Sequence, residues 1–430
     1  MGGEKLKVLF RGWTLVPHSY AIVNCFQLIH LHKYYGDKLE IYVEERPYYR
    51  PEWNNAKKLV YNQEYNDIIK GLNVWKGQDV DVVYSITYPY DVTEVVINNV
   101  PVPKCVFYTA EFSSLTKDYF CKYVDDNQVQ FQSSSDIELH LQKNESFAKM
   151  YFTSPSKWCA PGIQSIYNNT DPGKNVVITH GVDTTIFKLH TDKAIRERTR
   201  KFYNISESDI LLVNIGAMTQ NKGIVLVLQA LNEVVNRQNH KEFKLLLKGT
   251  GDLYNSQSFL ESYLEQLQSK SLLTKTEMEN LLENHIIFSD KTLSYDKIND
   301  IFNASDLYVS PYLAEGFNLT VLEALSAGLP VLVPKTGSTK EYIDDLRNNK
   351  GSDFIVQVDS LIANINGQKQ NFIEVNNLIS TLINNKEHII EMKNEKYNIH
   401  TDLGIYIEAN YSWKHVAGLL YEYLSKIAGK

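Results

Sequence analysis

Apolar residues along this chain come in short continuous runs, separated by stretches in which they recur every three or four positions. Residues 6–13, 39–45, 81–87, 104–111, 150–154 and 176–179 are rich in Val, Ile, Tyr and Phe and bounded by polar residues, Pro or Gly, a pattern that predicts strands. The runs are continuous rather than alternating, as expected of strands buried on both faces. Between the first two, Ile22, Cys25, Phe26, Ile29 and Tyr34 keep a helical spacing. The chain therefore opens with a β-α-β unit, and a parallel sheet is expected.

The alternation begins again in the second half. Strands are predicted over 209–215, 243–247, 285–288 and 307–310, while Ile224, Val227, Leu228, Leu231, Val234 and Val235 form a helical stripe and 295–304 reads as a further helix. A helix over 319–327 stops at Gly328 with Pro330 behind it, and a strand over 331–333 follows; glycine ends helices readily and proline does not continue them. Residues 345–400 are rich in Asn and Lys, and the pattern there supports only a strand near 354–358 and a helix near 376–385. Two β-α series in one chain imply an α/β protein of two Rossmann-like domains facing each other across a cleft, where ligands of such sheets bind at the strand C-termini. The hinge is expected near 181–187.

Composition narrows the function. A chain of 430 residues exceeds one ordinary core, and 43% apolar with 22% charged residues excludes a disordered class. Lys and Arg number 44 against 51 Asp and Glu, a net charge of −7, the wrong sign for a protein that grips nucleic acid. Cys25, Cys105, Cys121 and Cys159 show no paired spacing and read as reduced core residues rather than a disulfide framework or zinc site. No signal-peptide pattern opens the chain, and no apolar stretch approaches the ~20 residues of a membrane span. A cytoplasmic protein without an integral membrane segment is expected. Gly2 raises N-myristoylation, but Leu6 stands where that motif needs Ser or Thr.

The chemistry concentrates in residues 314–330, AEGFNLTVLEALSAGLP. Glu315 lies in a glycine-containing loop after a strand, and Glu323 one turn into the helix that follows. Such a loop aims the backbone N–H groups of Gly316, Phe317, Asn318 and Leu319 at the crevice, and the helix start beside them favours an anion such as a diphosphate. The two carboxylates suit hydroxyls flanking that diphosphate, on sugar and ribose. A plainer reading competes, because Thr320-x-x-Glu323 also has the spacing of a helix capping box.

Glu315 and Glu323 with Gly316 and Phe317 resemble the E-x7-E motif of the group-1 retaining glycosyltransferases, nucleotide-sugar enzymes of the glycosyltransferase-B fold. Other segments agree in order: His180-Gly181-Val182-Asp183 with Phe187 is similar to the family's hinge, Gly216 and Lys222-Gly223 to its phosphate site, and Asp306-Leu307-Tyr308-Val309-Ser310-Pro311 to the strand before the motif. Tyr411-Ser412-Trp413 resembles the start of the family's last helix, which crosses back to the first domain. The resemblance implies an acceptor-side domain over 1–182, completed by helix 411–430, and a nucleotide-sugar-binding domain over 183–410. It implies transfer of a sugar from a nucleoside-diphosphate sugar to the hydroxyl of a glycan, lipid-linked or protein acceptor, with retention and without metal or other cofactor. Glu315, Lys222 and Lys248 are the expected catalytic residues, and Glu323, Gly216, Gly316, Phe317, Asn318 and Leu319 the expected donor ligands. A nucleotide-sugar-binding protein without turnover and a sugar-nucleotide epimerase on the same fold are the alternatives.

Two departures from the family pattern stand out. Ala217 occupies the place where members usually carry Arg; Lys248, at a neighbouring strand end, is placed to supply that charge. Members commonly carry an acceptor-side histidine where this chain has Glu111, and His18, in the first β-α loop, is a second acceptor-side candidate or a solvated loop residue. The aromatic loop 46–53 (RPYYRPEW) is a further lead to the acceptor. Asp79-Val80-Asp81 has the form of a metal-binding D-x-D string but sits at a strand entry, where a turn is the simpler reading. Gly249-x-Gly251 lacks the third glycine of a dinucleotide fingerprint. Asn303 and Asn318 open N-x-S/T sequons.

Overall fold

The computed structural model describes residues 4–125, 127–143, 149–167 and 171–430, so that Gly2 lies outside the described residues. The chain divides into two compact units, Met1–Gly181 with Trp413–Lys430, and Val182–Ser412.

The first unit is built on a seven-stranded parallel sheet. From edge to edge its strands are Asn175–Val177, Met150–Ser154, Lys104–Phe107, Val82–Ile86, Leu6–Gly12, Leu39–Glu45 and Asn73–Val74. Val82–Ile86, in the middle, is buried at every position, which explains its unbroken apolar run. The strand expected over 104–111 pairs only to Phe107; a turn closed by Ser113 N donating to Ala110 O at 2.9 Å takes the following residues out of the sheet. Helix Ser19–Tyr35 covers the sheet and receives the last helix, Trp413–Ala428, through a Phe26–Trp413 stack at 5.5 Å and a Tyr35–Tyr421 stack at 4.6 Å. These rings hold the final segment to the first unit. All four cysteines are buried free thiols.

The second unit carries a six-stranded parallel sheet in the order Ile286–Ser289, Phe243–Lys248, Ile210–Ile215, Leu307–Val309, Val331–Pro334 and Ile355–Val358. Its core joins Leu212, Leu245 and Leu307 from the strands to Ile224, Leu228 and Leu231 from the helix after the first strand. Buried Asp306 staples the central strands. It takes Arg196 at 2.7 Å, Arg200 at 3.2 Å and the Leu211 N–H at 2.7 Å, and although burial pushes its carboxyl up, Arg196 and Arg200 outweigh it and hold the carboxyl below its usual range.

Two features escape the hydrophobic pattern. Leu361–Ile365 and Gln368–Phe372 form an antiparallel hairpin about Asn366 and Gly367, both at positive φ (52° and 82°); that Asn-Gly pair was the available signal. Helix Lys386–Tyr411 runs 26 residues and buries Ile389, Met392, Lys396, His400, Leu403 and Ile407. The spacing is helical, but two of the six inward positions are polar, so the apolar stripe breaks where the helix is longest. Among the described residues no helix is long and apolar enough to cross a membrane.

Candidate functional site

The second unit brings the E-x7-E segment and the loop after its first strand together. Strand Ile210–Ile215 ends at Gly216, whose N–H donates to Lys248 O at 3.0 Å. The chain then turns through Thr219–Lys222 into Gly223, at φ 72°, which starts helix Ile224–Asn232. Only glycine fits there: a Cβ would stand 2.1 Å from Pro311 O, a contact that requires the backbone to move. Asn221 fastens the two loops. Its Nδ2 donates to Ala314 O at 2.9 Å, its carbonyl accepts from Leu313 N at 2.7 Å, and Thr219 Oγ1 donates to its side-chain oxygen at 2.6 Å.

This clamp places Lys222 against Glu315, Nζ to Oε1 2.5 Å. Glu315 is buried and the lysine side chain is 25% exposed, so the pair lies at the surface of the site. Beyond Glu315 the chain passes through buried Gly316 and Phe317, whose ring stacks on Tyr342 at 4.9 Å. Asn318 adopts a left-handed conformation, φ 69°, donates to Ser310 Oγ at 2.9 Å, accepts from Thr320 Oγ1 at 3.1 Å, and becomes the N-cap of helix Leu319–Ser326.

That geometry corrects the capping-box reading. Asn318, not Thr320, precedes the helix; Thr320 lies within it, with its hydroxyl bonded to Asn318 and to Tyr308 OH at 2.7 Å. Glu323 is therefore not an N3 residue and closes no box. Its side chain is buried and has no hydrogen-bond partner among the described residues. Burial without compensation pushes its carboxyl up to about 8. An unpaired buried carboxyl is costly to keep.

Lys248 ends strand Phe243–Lys248 and is 3% exposed, its ammonium donating to the carbonyl of Gly249. Burial lowers its pKa to about 8, against the pull of Asp290 and Asp252. Lys222 and Glu315 are thus in direct contact, while Lys248 is turned onto its own strand end. Ala217 puts no charge in the loop. Asn221, Tyr342 and Asn371 were missed by sequence reasoning. Asn371 comes from the hairpin, donates to Tyr312 O at 3.0 Å and, through its N–H, to Leu313 O at 2.7 Å, and so braces the motif loop from behind. No local pattern marks a polar residue that acts across 59 positions.

Among the other candidates, His18 is 9% exposed, accepts from Tyr20 N at 3.2 Å as a helix cap, and packs on Trp53 at 4.8 Å; it is not a solvated loop residue. Glu111 is half-buried, with its backbone carbonyl taken by Trp158 Nε1 at 2.7 Å. Asp79 and Asp81 accept from Asn98 Nδ2 at 2.6 Å and Lys7 N at 2.7 Å, which fixes them as strand-entry contacts. The sequon residues Asn303 and Asn318 are both buried.

Residues 195–366, which span the clamp, both glutamates and the hairpin's first strand, match the model of the glycosyl transferases group 1. This segment belongs to that family. A glycosyltransferase of Methanocaldococcus jannaschii is 25% identical over 188 residues, 44% of this chain and 43% of that protein. An Escherichia coli UDP-Gal:alpha-D-GlcNAc-diphosphoundecaprenol alpha-1,3-galactosyltransferase is 24% identical over 204 residues, 47% of this chain and 46% of that one. The chain spans less than half the length of these curated relatives. Over the whole chain the fold is that of the glycosyltransferase-B proteins. A glycosyltransferase from Rickettsia africae aligns with TM-score 0.62 at 14% identity, covering 99% of both chains. Anabaena HepE in complex with UDP-glucose aligns with TM-score 0.59 at 14% identity, covering 98% of this chain and all of the other, 100%.

Proposed function

We propose that this chain transfers a sugar from a nucleoside-diphosphate sugar to an acceptor hydroxyl, retaining the anomeric configuration and using no metal. The observation that carries the reading is the Lys222–Glu315 pair, 2.5 Å apart at the head of the helix that bears the unpartnered Glu323. Glu323 accepts hydrogen bonds from the ribose hydroxyls, which supply the partners its carboxyl lacks. The N–H groups from Gly316 to Leu319 and the phosphate-loop residue Gly216 receive the diphosphate, with Phe317 and Asn318 holding the loop. Glu315 accepts from a hydroxyl of the transferred sugar, and Lys222 moves to the phosphates.

The bond between the anomeric carbon and the phosphate oxygen breaks as the acceptor oxygen bonds to the same face of that carbon, and the released phosphate takes the acceptor proton. Negative charge grows on the leaving diphosphate, so a fixed ammonium stabilises the transition state more than the ground state. Lys222 fills this role, with Lys248 in support once it leaves the Gly249 carbonyl. In this reading 183–410 is the donor domain and 1–182 with 411–430 the acceptor-side domain.

Ala217 and the engagement of Lys248 with Gly249 favour one alternative, a nucleotide-sugar-binding protein without turnover. Product analysis with UDP-, GDP- and ADP-sugars and an acceptor panel separates the readings. A new glycoside of retained configuration, formed in the presence of a chelator, supports transfer. Binding without product supports the alternative, and an isomerised sugar nucleotide would mean an epimerase.

A further inference from the structure

A cavity of about 440 Å³ opens in the second unit between residues 184–193, Ser326 and helix Lys386–Tyr411. Pockets for small ligands commonly measure roughly 300–1,000 Å³. Phe187 and Leu189 give this one an apolar wall, and buried Ser326 and His400 form its inner end. Neither Lys222, Glu315 nor Glu323 lines it, so it is separate from the donor site proposed above.

Its outer wall is pinned in place. Lys188 N donates to the side-chain oxygen of Asn299 at 3.2 Å, Lys188 O accepts from Asn303 Nδ2 at 3.0 Å, and His190 N donates to the side-chain oxygen of Asn303 at 2.8 Å. Both asparagines are buried on helix Tyr295–Ala304, which fixes where the Lys188 side chain starts.

The two ends of the cavity differ in chemistry. At the rim stand the exposed side chains of Lys188 and Lys193, and neither ammonium has an ion-pair or hydrogen-bond partner among the described residues. Lys193 lies over the Tyr397 ring at 5.1 Å, and Lys396 reaches the same ring at 5.7 Å. No described carboxylate lines the cavity. Those around it are engaged: Asp183 by the Thr185 N–H at 2.9 Å, Asp192 by the Ala194 N–H at 2.9 Å, and Glu408 by the Thr184 hydroxyl. Glu207 pairs with Arg200 at 3.3 Å, Asp300 with Lys297 at 2.8 Å and Asp402 with Lys350 at 3.3 Å. The rim is therefore a place for an anion, and two unpaired ammoniums suit a dianion better than a monoanion.

The inner end accepts hydrogen bonds. His400 is 7% exposed, and its Nε2 stands 2.9 Å from Leu325 O. A carbonyl only accepts, so Nε2 carries the hydrogen, and in the neutral ring Nδ1 is an acceptor. Burial lowers the His400 pKa and so favours the neutral ring. Nδ1 has no partner among the described residues. Gly404 keeps that edge of the ring open: a Cβ there would stand 3.3 Å from Cε1 and 3.7 Å from Nδ1. Ser326 spends its hydrogen on Phe187 O at 2.6 Å and keeps its oxygen for accepting.

We propose that this cavity binds a phosphate monoester of a small polyol, the size of a hexose phosphate, with the phosphate on Lys188 and Lys193 and ligand hydroxyls donating to His400 Nδ1 and Ser326 Oγ. The site requires neither nucleotide nor acceptor, so it stands whether or not the chain transfers sugar.

The test is isothermal titration of the full chain with glucose 6-phosphate, mannose 6-phosphate and fructose 6-phosphate, at about pH 8 where the phosphate is a dianion. Gluconate serves as the monoanionic polyol, glucose as the neutral one and inorganic phosphate as the head group alone. At least one hexose phosphate should bind about tenfold or more tightly than all three comparisons. Lys188→Gln with Lys193→Gln should weaken it about tenfold or more, since both charge-assisted contacts are lost; the two side chains are exposed, and an unchanged Tm checks the fold. Gly404→Leu fills the space beside His400 and should abolish binding. UDP-glucose affinity should be unchanged in the lysine variant. The site is overturned if no hexose phosphate exceeds the comparisons, or if either variant, folded, binds like the wild type. It is overturned equally if UDP-glucose displaces the hexose phosphate, because the phosphate would then occupy the donor site. Hexose phosphate binding that depends on these lysines, in a chain that takes no nucleotide sugar, supports the cavity and removes the transferase reading instead.

Discussion

Glu323 ties donor binding to pH in a way that can be measured. In the ligand-free chain its buried carboxyl titrates at about 8 rather than 4.5, so at pH 7 it is roughly nine-tenths protonated. Two ribose hydroxyls are best met by the two full acceptor oxygens of the ionised form, because the protonated carboxyl turns one of its oxygens into a donor. Binding at pH 7 therefore carries a deprotonation cost of about 1.4 kcal/mol, and about 2.8 kcal/mol at pH 6. The Kd of UDP-glucose should fall about tenfold per unit from pH 6 to pH 8 and level off above. The diphosphate of a nucleotide sugar is a diester and does not ionise in this range, so the slope belongs to the protein. Isothermal titration in two buffers of different ionisation enthalpy should show close to one proton released per donor bound at pH 6.5. Glu323→Gln keeps the shape and removes the titration. It should bind about thirtyfold more weakly at pH 8.5, where a charge-assisted pair of hydrogen bonds worth on the order of 2 kcal/mol is lost, and converge on the wild type near pH 6.

The same group links stability to pH. A carboxyl whose pKa is higher in the folded than in the unfolded chain contributes fully below about 4.5, and that contribution disappears as pH rises toward 8. The range corresponds to on the order of 5 kcal/mol. Ligand-free Glu323→Gln should thus match the wild-type Tm at pH 5 and exceed it at pH 8.5. A pH-independent Kd without proton release, or an unchanged pH slope in Glu323→Gln, would refute the assignment of ribose to this carboxyl.

Lys222→Ala should lower kcat about tenfold or more, since a charge-assisted contact is worth on the order of 2 kcal/mol, and should lower Tm by leaving Glu315 unpaired. Lys222→Ala with Glu315→Gln should regain the Tm but not the turnover; recovery of both would make the pair purely structural. Lys248→Met keeps the packing and should slow turnover about tenfold, and unchanged kinetics would leave Lys222 as the sole cation and favour a binder without turnover. Gly223→Ala should cost upward of about 2 kcal/mol in urea unfolding, because a side chain at positive φ must displace the Pro311 carbonyl; an unshifted midpoint would show that the loop gives way freely.

Much of the architecture is local in origin and so is legible in the sequence. Strands buried on both faces have continuous apolar runs whatever their neighbours, which is why Met150–Ser154 and the helix Tyr295–Ala304 match their expected bounds. Gly328 behind the motif helix and the order of motif segments are local too, and they mark both the family and the loop that carries Glu315 and Glu323. Helix Lys386–Tyr411 was hidden because Lys396 and His400 occupy inward positions. Their partners, Asn303 O at 3.5 Å and Leu325 O at 2.9 Å, lie 93 and 75 residues away. The state of the motif was hidden for the same reason. Thr320-x-x-Glu323 has the spacing of a capping box, and only the left-handed turn at Asn318, held by Ser310 and Tyr342, starts the helix two residues earlier and leaves Glu323 without a backbone partner. The contact of Lys222 with Glu315 depends on Asn221 reaching Ala314 across 93 residues. Periodicity and turn chemistry act over a few positions and can be read from the chain; the pairing and burial of a polar side chain depend on what folding brings beside it, and those decide the charges in the site.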